Sequence, residues 1–222
     1  MDWYQALEIN RAALGRVVAQ LFAVLELALT SPLRLLPRAL YREAERLLVP
    51  AESALRRLIV IAARGLKVSL APARPMPQGL VIVGSGAGRA SFALFDPRKR
   101  FNLDEPDRDS SPHGPRLHFF GLGLLAPGVQ PPQIAAPAPS LDASALCRRY
   151  ETFKAALESL PRQARRLARW RLRRAALQNP KFTSPLRPGP PPGQRQKPWT
   201  EIDGLLRECH GLAFDALREE SS

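Results

Sequence analysis

The chain has 222 residues, a formal net charge of +13 and 23 prolines. Proline at about twice its usual frequency confines helices and central strands to the stretches between proline clusters. Its two cysteines, Cys147 and Cys209, are too few for a disulfide framework, so we expect a reducing, cytoplasmic location.

The N-terminal stretch predicts a buried helix. Met1-Asp2-Trp3 lacks the basic start of a secretory signal. The longest apolar run, residues 17–29, contains Gln20 and Glu26, and its upstream extension meets Arg16. A membrane span needs about 20 mostly apolar residues, so we expect no transmembrane segment.

Residues 1–65 predict an N-terminal helical unit. Asp2 is a candidate N-cap for a first helix, which Thr30-Ser31-Pro32 ends. Its apolar face recurs at helical spacing through Leu7, Leu14, Val18, Leu21, Leu25 and Ala28. A second helix is expected to begin near Pro32 or Pro37. Pro50 is placed as the first residue of a third helix, which ends before Gly65, and the three should form a hairpin or small bundle.

The middle of the chain predicts little regular structure. Residues 66–79 and 126–140 are Pro-rich linkers, and they flank a short-strand and loop region at 80–125. Strand character occurs at residues 80–83, 91–95 and 116–120. Because a lone ribbon is marginally stable, we expect a small β-ribbon that packs on the helices.

Residues 80–88 resemble the start of a dinucleotide-binding turn, an apolar strand followed by Gly84, Gly86 and Gly88. However, Arg89 occupies the position of the third required glycine, and Pro97 interrupts the helix that should follow. We therefore expect no cofactor.

Two further groups of residues argue against a metal site. The acidic cluster Asp104, Glu105, Asp107 and Asp109 lacks the central glycine of a calcium loop, which favours a solvated loop. His113, His118 and His210 share no ligand spacing with each other or with the cysteines. No catalytic constellation or small-molecule substrate is evident, and we expect a protein that is not an enzyme.

Residues 141–222 predict a basic C-terminal helical unit, interrupted by a Pro-rich tract at 180–198. Ser140 or Asp142 should cap a helix with a buried seam of Leu146, Tyr150, Phe153, Leu157 and Leu160. Pro161 forces a corner, and an arginine-rich helix follows to Gln178. Thr200 and Asp203 resemble a capping box for the last helix. That helix has an apolar face of Ile202, Leu205, Leu206, Cys209, Leu212, Ala213 and Ala216.

The positive charge is concentrated in one region, because residues 142–198 carry a net charge of +11 and residues 199–222 carry −4. On a helix, five arginines fall within an arc roughly 100° wide, with Trp170 beside them. We call these five the arginine face: Arg162, Arg165, Arg166, Arg169 and Arg173.

Three groups are candidates to neutralise the arginine face: nucleic-acid phosphates, anionic lipid head groups, and the acidic tail of the chain folding back. A solvated helix surface in a composition rich in Leu, Ala, Arg and Pro is a further explanation. The polyanion hypothesis depends on the face having no intramolecular carboxylate neighbours.

The chain resembles an uncharacterised group of small basic alphaproteobacterial-type proteins. The resemblance lies in AESALRRLIVIAARG at 51–65, FDPRKRF at 95–101, LPRQARRLARW at 160–170 and the tail at 201–217. The resemblance implies a bacterial cytoplasmic setting, but it implies no activity and no site residues.

The sequence thus predicts a mainly α protein with three functional hypotheses. The first is non-specific nucleic-acid binding through the arginine face, supported by Trp170 and the basic tract at 187–197. The second is a protein–protein adaptor, or a self-associating protein, whose helix seams at 146–160 and 202–216 dock a partner. The third and least favoured is an enzyme that uses Gly84–Gly88.

Overall fold

The computed structural model describes residues 2–70, 91–97, 140–177, 184–197 and 200–221. About 70% of these residues are helical, which confirms the mainly α prediction. Five helices and one two-stranded sheet form in the order α1 Trp3–Thr30, β1 Leu35–Pro37, α2 Arg38–Ala62, β2 Ser140–Asp142, α3 Ser144–Glu158, α4 Leu160–Ala175 and α5 Glu201–Ser221.

The central element is α2, which contacts α1, α3, α4 and α5. All of residues 50–61 except Glu52 are buried, so this half of α2 is surrounded on every side, as in the core of a larger protein. The N-terminal and C-terminal ranges that the sequence divides into separate units therefore share one core.

α1 begins and ends as predicted. The Asp2 carboxylate accepts hydrogen bonds from the backbone N–H groups of Tyr4 and Gln5, which satisfies donors that the first helical turn leaves unpaired. Val17, Leu21 and Leu25 are buried on one face. Of the described helices, α1 is the one long and apolar enough to cross a membrane by length and composition.

The predicted helix boundary at Pro50 is wrong, because α2 runs without a break from residue 38 to residue 62. Proline inside a helix removes one backbone hydrogen bond, but the surrounding core holds the helix in place. The backbone of Gly193, with φ of 82°, passes so close to Pro50 that an added Cβ would lie 2.8 Å from the proline nitrogen. The segment at 184–197 is therefore packed against α2, with Leu186 also buried.

The observed sheet lies outside the predicted ribbon. β1 and β2 are antiparallel, with Leu36 opposite Leu141. The predicted strand at 91–95 is not a strand; residues 80–83 and 116–120 lie outside the described residues. In place of a neighbouring strand, arginine side chains bind backbone carbonyl groups of the segment at 91–95. Arg166 donates to the Phe92 carbonyl at 2.7 Å, and Arg56 donates to the Ala93 carbonyl at 3.0 Å.

The C-terminal helices follow the predicted pattern. The seam from Leu146 to Leu160 and the apolar face of α5 are buried. The N-cap residue of α3 is Ala143, one residue after the predicted cap Asp142, which accepts a hydrogen bond from the Ser144 N–H at 2.8 Å. α3 turns into α4 at Ser159, two residues before Pro161. The Thr200 hydroxyl and backbone N–H both donate to the Asp203 carboxylate. α4 ends at Ala175, three residues before the predicted end.

The close approach of Gly193 to Pro50 makes a testable prediction. Gly193→Ala introduces a Cβ against backbone atoms that cannot move aside, in addition to the strain of a positive φ. We expect a loss of about 2–4 kcal/mol in the free energy of unfolding, measured by chemical denaturation.

Gly189→Ala is the matched control. Gly189 has φ of 79°, but nothing lies within 4 Å of an added Cβ, so this variant isolates the backbone strain of about 1–2 kcal/mol. Equal losses in the two variants would contradict a tight contact between residue 193 and α2.

Candidate functional site

α4 presents the arginine face to solvent. Leu160, Ala164, Leu167 and Ala168 bury the opposite side of the helix against the core. Residues 162, 165, 166, 169 and 173 are all exposed. Because the apolar side of α4 is anchored, the five guanidinium groups extend from a rigid support.

The described acidic residues leave the arginine face unneutralised. Within the described ranges, no carboxylate lies within 4.0 Å of any of its five guanidinium groups. The acids of α5 whose side chains the structure describes have other partners: Glu201 pairs with Arg16, Asp203 accepts from Thr200, Glu208 accepts from Asn10, Asp215 pairs with Arg218, and Glu219 pairs with Arg64. Folding back of these carboxylates onto the face is thereby excluded.

Beside the face lies a cleft of about 640 Å³. We call it the arginine cleft; it is lined by Ser91, Phe92, Thr152, Ala155, Ala156, Ser159, Arg162, Gln163, Arg166, Arg169 and Arg173. One wall is the arginine row of α4, and the other is the small, uncharged side of α3. No carboxylate is present among these lining residues, so the cleft suits an anionic ligand.

The floor of the cleft is joined to its arginine wall. Arg166 donates to the Phe92 carbonyl at 2.7 Å, and its second nitrogen lies 3.5 Å from the Ser91 hydroxyl oxygen. Arg166 therefore has a structural role in addition to contributing charge.

Trp170, expected beside the arginines as support for binding, is half-buried. Its ring packs edge-on against Phe95, with centroids 4.7 Å apart, and it does not line the cleft. In the basic tract, Arg187 donates to the Pro190 carbonyl, whereas Arg195 and Lys197 are exposed.

Beneath the site lies a buried ion pair that the sequence analysis missed. Arg57, fully buried, donates from Nη2 to Asp96 Oδ2 at 2.9 Å. Its Nη1 donates to the Ser53 hydroxyl at 2.7 Å, and its Nε donates to His210 Nδ1 at 3.0 Å. Asp96 also accepts from the Arg187 backbone N–H at 3.3 Å. Adjacent arginines inside the apolar run at 54–63 were the signal that could have indicated a buried partner.

The ion pair extends through Arg56 to α3. Arg56 lies 3.8 Å from Asp96 and 3.5 Å from Glu52, and Glu52 accepts two hydrogen bonds from Arg149 of α3. Burial lowers the pKa of Arg56, an effect opposed by the two carboxylates. Because Arg56 also holds the Ala93 carbonyl, the network positions the segment that forms the floor of the cleft.

Several of the remaining sequence-predicted groups lie in parts of the chain that the structure does not describe. Gly84–Gly88, the acidic cluster at 104–109, His113 and His118 lie outside the described residues. In the described ranges no group of three His, Cys, Asp or Glu side chains could hold a metal. Cys147 and Cys209 are free and buried, and burial raises the pKa of the Cys209 thiol to about 12.

No protein-family model, curated protein or solved structure matches this chain.

The buried ion pair makes a stability prediction. Asp96→Asn leaves the fully buried Arg57 guanidinium without its carboxylate, and we expect a loss of about 3–5 kcal/mol in the free energy of unfolding. Asp215→Asn is the control, because Asp215 pairs with Arg218 at the surface and should cost at most about 1 kcal/mol. Similar losses in the two variants would show that the pair does not hold the core.

His210 makes a pH prediction. Burial, followed by the nearby Arg57 charge, lowers the pKa of His210 below 6.5, although Asp96 opposes the shift. The folded state then binds this proton more weakly than the unfolded state, so the free energy of unfolding should fall as pH drops from 7.5 through 6.5 to the lower folded pKa.

His210→Asn tests the origin of this pH dependence. The Asn Oδ1 can accept from Arg57 without titrating, so denaturation measured from pH 7.5 to pH 5 should show a smaller decrease in stability. An unchanged slope would assign the pH dependence to other groups.

Proposed function

We propose that this chain binds the phosphate backbone of nucleic acid, without sequence specificity, through the arginine face. The observation that supports this is the set of five exposed guanidinium groups without a carboxylate neighbour in the described part of the chain. Guanidinium forks match phosphate oxygens in pairs, and neighbouring like charges on one helix gain from a shared polyanion.

The alternatives have less support. The adaptor hypothesis uses the seams at 146–160 and 202–216, but both are buried in the core of this chain and offer no docking surface there. Insertion into a lipid surface needs a large apolar region beside the arginines, whereas the wall facing them carries the hydroxyl groups of Thr152 and Ser159 and only the small Ala155 and Ala156. We propose a binding role without catalysis, in a cytoplasm that keeps Cys147 and Cys209 reduced.

The test compares two triple variants that remove the same charge. Arg162→Ala/Arg169→Ala/Arg173→Ala removes three members of the face and retains Arg166, which holds the Phe92 carbonyl. Arg38→Ala/Arg42→Ala/Arg46→Ala removes three exposed arginines from α2. Fluorescence anisotropy with labelled oligonucleotides measures affinity at about 50 and 200 mM salt.

The wild-type chain should bind at low salt and weaken steeply as salt is raised, because phosphate contacts release counterions. We expect the α4 variant to lose about 1,000-fold in affinity at low salt, at about tenfold for each of the three lost contacts, and the α2 variant to lose much less. Equal losses would indicate a general charge effect, and no binding at low salt would end the proposal.

A further inference from the structure

We propose that the phosphate backbone bound at this site belongs to a single strand, which lies in the arginine cleft between α3 and α4. This inference rests on the proposed function and specifies the form of nucleic acid that the site accepts. It starts from an asymmetry within the arginine face: Arg162, Arg166, Arg169 and Arg173 line the cleft, whereas Arg165 does not.

The shape of the cleft favours a narrow ligand. Its volume of about 640 Å³ falls in the range of pockets that enclose small molecules. A duplex is stiff over about 150 base pairs and would meet such a cleft only at its rim. A single strand is flexible and can enter the space between the two helices, where its phosphates face four guanidinium groups.

The length of the row also fits a single strand. Arg162 and Arg173 are eleven residues apart on one helix, which corresponds to about 16 Å along its axis. Neighbouring arginines of the row are about 4.5–6 Å apart along the helix axis, and successive phosphates of an extended strand, joined by six covalent bonds, have a spacing of the same order. Four arginines at intervals of four, three and four residues can therefore each approach one phosphate.

The lining offers little for base recognition. Among its described lining residues the one aromatic side chain is Phe92, which has 5% of its surface exposed, and Trp170 packs against Phe95 beside the cleft. Proteins that grip bases in single strands stack them on exposed aromatic rings. We therefore infer that the strand is held by its backbone and that base composition has little effect on affinity.

The first experiment narrows the cleft without changing its charge. Ala155 is exposed on the α3 wall, so Ala155→Trp places a bulky side chain opposite the arginines. Ala145→Trp, also at an exposed position of α3 but outside the lining, is the matched control. Anisotropy titrations use 20-nucleotide single strands of oligo(dT) and of mixed sequence, and a 20-base-pair duplex, with circular dichroism to verify folding.

The wild-type chain and the Ala145→Trp variant should bind both single strands at least tenfold more tightly than the duplex. Ala155→Trp should lose at least tenfold for single strands. The slope of log affinity against log salt should be about −2.8 for four phosphate contacts on a single strand. Duplex binding as tight as single-strand binding, or an Ala155→Trp variant that binds normally, would overturn the inference.

A second comparison stays within α4. Arg169→Ala should weaken single-strand binding about tenfold at low salt and make the salt slope about 0.7 less negative, whereas Arg165→Ala should change both much less. Equal effects of the two substitutions would place the ligand across the exposed face. In that outcome nucleic-acid binding through the arginine face stands and the single-strand inference is rejected, whereas loss of all binding at low salt rejects both.

Discussion

The buried ion pair between Arg57 and Asp96 is the interaction on which the rest of this structure depends. Taking two charges out of water costs several kcal/mol per ion, so the pair is tolerated only with further hydrogen bonds. Ser53, His210 and the Arg187 backbone supply them. The pair and its partners come from α2, from α5 and from the irregular segments at 91–97 and 184–197. The pair therefore determines where these two segments lie.

This network also positions the segment that forms the floor of the arginine cleft. Residues 91–97 have no strand neighbour among the described residues, and the carbonyl groups of Ala93 and Phe92 accept hydrogen bonds from Arg56 in the core and from Arg166 of α4. Gly193 adds a second constraint, since its backbone lies directly against Pro50. The basic surface of the chain is thus supported by contacts among arginines, carbonyl groups and one buried carboxylate.

Local rules predicted the elements that depend on local spacing. The Asp2 cap, the seam from Leu146 to Leu160 and the outward direction of the arginine face all follow from helical periodicity, and the structure has each of them. The same rules placed a helix boundary at Pro50, because they cannot include the core that surrounds α2. Arg57 contacts Asp96 and His210, which are 39 and 153 residues away in the sequence, and no local pattern predicts such contacts. The second wall of the cleft likewise depends on how α3 packs, which local spacing does not give.

The distribution of carboxylates gives the strongest physical reason to regard the arginine face as a binding surface. Each like-charge pair at three- or four-residue spacing on α4 costs a few tenths of a kcal/mol. The described acids of α5 could have relieved this repulsion, yet Glu201 and Glu219 pair with Arg16 and Arg64 instead. Among the described residues no carboxylate relieves this repulsion, so an external anion bound at the face would do so. A ligand that binds only the folded state also stabilises it in proportion to the logarithm of its concentration, so polyanion binding and stability of α4 should be coupled.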